Sequence, residues 1–138
     1  MAIDSSGRVT KPYQPHIRGA ISRSTQSAGV GNLFYQRSAI GLSFSTDRIT
    51  VPVAGVYMIT WMTIADSNTG RYDANLFING NTICAALNED NGAGFHQKTL
   101  SISANLSASD YIQFYQQRWY SINSDPGEWS NLSVTLLG

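Results

Sequence analysis

A proline and a glycine three residues apart interrupt the most β-prone stretch of the chain, ITVPVAGVYMIT, residues 49 to 60. Proline cannot donate to a strand ladder and glycine has no side chain to pack, so an uninterrupted central strand contains neither. Two strand segments therefore meet here. Ile49 to Val51 ends one, Pro52 and Gly55 make a corner, and Val56 to Ile64 begins another in a neighbouring sheet.

The rest of the chain has the same rhythm of short strands and turns. HIRGAIS (16 to 22) alternates; TQSAGVGN reads as a loop; LFYQRSAIGLSFS (33 to 45) gives one or two strands broken near Gly41. After the corner come RYDANLFING (71 to 80) and TICAAL (82 to 87), joined at Asn79-Gly80, a two-residue hairpin signal. FHQKTLSISANL (95 to 106), DYIQFYQQRWY (110 to 120) and SNLSVTLLG (130 to 138) complete the series. Turns every 8 to 12 residues are the spacing of an antiparallel sandwich or jelly roll.

Composition points the same way. With only two Glu (Glu89, Glu128) and two Lys (Lys11, Lys98), the chain is short of the residues that stabilise exposed helix faces. At 138 residues it fits one domain with a single core. Charged residues make up 13% and the net charge is zero, so there is no positive field to draw nucleic acid or anionic lipid. No run approaches the roughly 20 apolar residues of a membrane helix. MAIDSSGRVTK has no apolar segment of the signal-peptide kind, and the single Cys84 excludes an internal disulfide. Residues 1 to 15 differ in kind from the remainder. They are polar, contain Gly7, and carry two prolines spaced as PYQP, which bias the backbone toward extended geometry. This predicts a docking arm over 1 to 15, kept extended by Pro12 and Pro15, with Arg8 and Lys11 available for carboxylates and Val9 and Tyr13 for apolar grooves, ahead of a domain at 16 to 138.

Pro52, Gly55, Tyr57, Ile59 and Trp61 together resemble the C1q/TNF-like jelly-roll family, whose pattern is an aromatic, then Pro, then Gly-x-Tyr-x-Phe-x-aromatic. Three more stretches match in order: Ala74 to Gly80, ending in Asn-Gly; Leu106 to Phe114, similar to Leu-x-x-Gly-Asp-x-Val-x-Leu; and Ser130 to Leu137, similar to Ser-x-Phe-Ser-Gly-Phe-Leu-Leu. Departures include Ile49 and Ile59 for Phe, Ser109 for Gly and Val134 for Gly. The resemblance implies an all-β, two-sheet antiparallel jelly roll assembled as a homotrimer. On the strand 110 to 120, Ile112 and Phe114 then face the core, while Tyr111, Gln113, Tyr115, Gln117 and Trp119 alternate to the other side. A face of aromatics and amides is costly to leave in water, which nominates it for the trimer contact. Alternatives are an ordinary surface or a carbohydrate-stacking platform.

No enzyme chemistry is legible. His16 and His96 lie in different strands without a motif, and Cys84 has the apolar neighbours of an inert thiol. Asn88-Glu89-Asp90-Asn91 offers oxygen ligands for Ca²⁺ but lacks the spacing of a dedicated loop, so no cofactor is expected. Asn105 and Asn131 fit the glycosylation pattern. A jelly roll with an extended arm and neither a signal nor a stalk is expected to be a homotrimeric virion-surface protein of a bacteriophage, a tail fibre or tip or a capsid decoration. The arm would hold it to a larger virion protein, and its loops would face a host surface or glycan. The alternative is a soluble lectin-like or C1q-like binding module.

Overall fold

The structure, a computed structural model, describes residues 2–3, 9–10, 14–22, 28–67, 72–88, 94–117 and 130–137. Among the described residues the strands follow in this order: β1 (Ala2–Ile3), β2 (Val9–Thr10), β3 (His16–Ser22), β4 (Gly29–Val30), β5 (Asn32–Ile40), β6 (Ser43–Ser45), β7 (Arg48–Thr50), β8 (Gly55–Ser67), β9 (Tyr72–Ile78), β10 (Asn81–Asn88), β11 (Gly94–Leu106), β12 (Tyr111–Gln116) and β13 (Asn131–Leu136). Among the described residues there is no helix, and so none long and apolar enough to cross a membrane.

Two antiparallel sheets make the jelly roll. One runs β10-β9-β12-β7-β6, with β4 joined to β12; the other runs β11-β8-β13-β3-β5. The corner at Pro52 to Gly55 does what the sequence demands of it, since β7 lies in the six-stranded sheet and β8 in the five-stranded one. Tyr57 fastens the corner, its hydroxyl donating to the Val53 carbonyl at 2.8 Å. The Asn79-Gly80 hairpin has positive φ at both residues, 52° and 78°, as its two-residue turn requires. Gly29–Val30, read in the sequence as part of a loop, instead forms β4 against Tyr115 and Gln116. Two residues are too few to show a period, so the pairing comes from the neighbouring strand.

The core lies between the sheets and follows the period of two. Tyr57, Ile59 and Trp61 of β8, Leu132 and Val134 of β13, and Ile17 and Ile21 of β3 meet Leu76, Ile112, Phe114 and Ile49 from the other sheet. Trp61 and Phe114 cross edge to face at 5.4 Å between ring centroids, a contact worth about 0.5–1.5 kcal/mol beyond its buried area.

Within the segment read as an extended arm, Ala2–Ile3 pairs antiparallel with Val9–Thr10, so the chain doubles back there. Its last two residues belong to the sandwich. Pro15 is buried, its carbonyl accepts from the Leu136 amide at 2.9 Å, and the Gln14 side chain donates to the Leu136 carbonyl. Arg8, Lys11, Pro12 and Tyr13 lie outside the described residues.

Candidate functional site

The two outward faces of the sandwich differ. On the six-stranded sheet, β12 alternates as the sequence requires, with Ile112 and Phe114 inward and Tyr111, Gln113 and Tyr115 outward. The outward residues are covered by the chain itself. Arg48 sits over the Tyr111 ring at 4.6 Å, the Gln113 amide donates to the Asp47 carboxylate at 2.9 Å, and Phe77 packs against Tyr115 at 5.7 Å. Asp47, in the turn between β6 and β7, and Arg48, the first residue of β7, pair with each other at 3.1 Å and fold over the strand. Gln113 is consequently only 8% exposed, although it points away from the core. Gln117 is exposed, its backbone N–H donating to the Asp73 carbonyl at 2.9 Å, and Trp119 lies outside the described residues.

Sequence reading passed over Gln116, which is fully buried between the sheets. Its carbonyl accepts from the Thr63 hydroxyl and its amide donates to the Ile64 carbonyl at 3.0 Å, so a polar clasp joins β12 to β8. The alternation that sends Ile112 and Phe114 inward also sends residue 116 inward; its amide chemistry hid that. Nearby, Lys98 is 9% exposed and donates to the Ala86 carbonyl at 3.0 Å. Burial holds its ammonium below the ordinary lysine range, against the pull of Asp73.

Across the outer face of the five-stranded sheet runs a strip without charge. β8 contributes Val56, Met58, Thr60 and Met62; flanking β11 contributes Gln97, Thr99, Ser101, Ser103 and Asn105; β13 and its end contribute Asn131, Ser133, Thr135 and Leu137. Val56 and Met58 are each 38% exposed and Leu137 44%, and the Leu137 amide bonds to the Val56 carbonyl, which sets the three side by side. Small hydroxyls surround them, Thr60 and Ser101 bonding across the strands at 3.2 Å.

At one end of the sandwich, Asp110 accepts from the Asn79 side chain and from the Ser107 amide, both at 2.8 Å, and its own carbonyl accepts from Val51. The Asn79 hydrogen bond, then that from Ser107, holds the Asp110 carboxyl below the usual range. This network ties the 79–80 hairpin, the corner and the turn before β12 together.

Chemistry-bearing residues stay apart. Half-buried His16 is on β3, His96 on β11 in register with Ala65, and half-buried Cys84 on β10 against the core. Among the described residues, no three His, Cys, Asp or Glu gather as a metal site. Asn88 ends β10, and Glu89, Asp90 and Asn91 lie outside the described residues.

No protein-family model matches the chain, and no curated protein sequence matches it. Among solved structures, the crystal structure of murine APRIL at pH 5.0 superposes with a TM-score of 0.71 at 13% identity, covering 90% of this chain and 99% of that one. The same protein at pH 8.0 gives 0.69 and at pH 8.5 gives 0.71, each 14% identical over the same shares. The likeness shows the fold, a C1q/TNF-like jelly roll.

Proposed function

We propose that the chain is a non-enzymatic homotrimeric structural protein at the surface of a bacteriophage particle, without cofactor or metal. It is held to a larger virion protein through residues 1 to 15 and presents its loops to a host surface or glycan. Self-association is carried by one observation: the uncharged strip of β8, β11 and β13, where Val56, Met58 and Leu137 stand exposed together. Contiguous exposed apolar side chains ringed by small polar ones mark a contact surface. We assign the contact to this strip rather than to Tyr111, Gln113 and Tyr115, because Arg48, Asp47 and Phe77 already cover that face. The virion setting rests on the composition of the arm, polar and proline-spaced, which suits attachment along a partner's surface.

Light scattering at micromolar concentration tests the assembly, and the expected mass is three times the 15.1 kDa of one chain. Met58→Asp is expected to give monomer by placing like charges in the seam, whereas Tyr115→Asp leaves the trimer. The reverse pattern would return the contact to the β12 face. A monomer for the unaltered protein would sink the assembly altogether.

A further inference from the structure

We propose that the outer face of the six-stranded sheet binds an uncharged saccharide on the ring pair Phe77 and Tyr115. Gln113 of β12 stands opposite Phe77 of β9, and Tyr115 stands opposite Asn75, so Phe77 and Tyr115 are diagonal neighbours on one face. Their centroids lie 5.7 Å apart and the planes are tilted by 36°. Trp61 and Phe114 in the core cross at 68°, edge to face. The shallower tilt outside makes the two rings one continuous floor. Both are half-buried, so part of each ring still meets solvent.

The groups around the pair select the occupant. On the β10 side stand Thr82, opposite Phe77, and Ile83, the extra residue of a β-bulge and 53% exposed. On the other side, β4 sets Val30 opposite Tyr115. None of these carries charge. Arg48, a cation on the same face, is already engaged by the Asp47 carboxylate at 3.1 Å and the Tyr111 ring at 4.6 Å, so an anionic ligand would have to break contacts already made. A pyranose presents weakly positive C–H groups to the negative face of an aromatic ring, and its hydroxyls emerge at the rim. Asn75 stands at that rim with an acceptor and two donors in one amide. Among the described residues, no hydrogen bond within the chain engages the Asn75 side chain or the Tyr115 hydroxyl. Asp47 and Arg48 close the Tyr111 and Gln113 end of the face, which leaves an opening a few side chains wide. That suits a small ligand rather than the roughly 800 Å² per partner of a stable protein interface. The inference rests on the glycan part of the proposed function, moved from the loops to the sheet, and does not depend on the virion setting or the trimer.

Amide-detected NMR titration of the full chain with cellotriose, maltotriose or chitotriose tests the site. The expected result is saturable shifts centred on residues 75, 77, 82 and 115 for at least one of the three, unchanged by added sodium chloride. Phe77→Leu and Tyr115→Leu keep apolar bulk and lose the aromatic face, and each is expected to weaken binding about tenfold. Tyr115→Phe keeps the ring and most of the affinity. Asn75→Ala removes the rim amide alone, so weakened binding in that variant carries the same conclusion if a leucine variant fails to fold. Met58→Asp, on the opposite sheet, is expected to bind sugar as the unaltered chain does, which separates this site from assembly. Shifts that are absent or stay linear with all three sugars, or leucine variants that bind as tightly as the unaltered protein, would overturn the proposal. Shifts at the same residues that follow protein concentration without sugar would overturn it too, by assigning the face to a second copy.

Discussion

Ser109 holds a φ of 75°, left-handed geometry that costs a residue bearing a Cβ roughly 1–2 kcal/mol. It stands where the family pattern has glycine, in the turn that delivers the Val51 carbonyl a donor from its own amide at 2.9 Å. Ser109→Gly keeps that hydrogen bond, so it is expected to stabilise the fold by about 0.5–1 kcal/mol once the greater freedom of glycine in the unfolded chain is subtracted, measured by urea unfolding. Lys98 makes the opposite kind of statement. Its folded pKa lies below the ordinary 10.5, so between the two values the unfolded chain binds the additional proton and stability rises with pH. Tyr57, whose phenol burial pushes above 10.0, acts in the other direction at the alkaline end. It is common to both proteins when Lys98→Met is compared with the unaltered chain. The comparison is expected to show the alkaline gain in stability only where Lys98 is present; equal pH profiles would mean that the ammonium is not desolvated.

Strand β12 shows how one element serves two surfaces. Its inward residues carry the contact between sheets, and Gln116 adds a directional bond to a packing interaction that otherwise has none. Removing one partner of such a pair leaves a buried polar atom unsatisfied, so Thr63→Val is expected to cost about 1–3 kcal/mol. Thr63→Val combined with Gln116→Leu should cost less than the two single changes summed, because both halves of the clasp then become apolar. Additive losses in the denaturation cycle would show that the two side chains act separately. On its outward side, β12 is bonded to Asp47 through Gln113 and lies under Arg48 at Tyr111, so part of that face is already engaged within one chain.

For the whole molecule, the boundary between the domain and the proposed attachment segment matters most. Gln14 and Pro15 bond to Leu136 at the end of β13, so a chain shortened to begin at Gln14 keeps those bonds and one beginning at His16 loses them. The Gln14 truncation is expected to fold, to self-associate and to melt within a few degrees of the full chain, yet not to join the particle. Full incorporation of that truncated protein, followed by electron microscopy of the particle, would remove the arm from the attachment proposal.

Local rules made much of this fold legible. A proline and a glycine three residues apart forced the sheet change at 52 to 55, and Asn79-Gly80 could only be a tight hairpin, because backbone sterics at those positions are independent of the rest of the chain. The period of two likewise put Ile112 and Phe114 inside. What alternation cannot say is whether an outward face meets water, another copy or its own chain. The cover over Tyr111 and Gln113 comes from Asp47 and Arg48, more than 60 positions away in sequence. The exposed trio Val56, Met58 and Leu137 likewise forms only when β13 docks beside β8. The diagonal that sets Phe77 against Tyr115 depends on how β9 and β12 register, a choice made by packing over two whole strands. Side-chain direction is a property of the strand, whereas its surroundings are a property of the pairing, and only the tertiary structure decides the pairing.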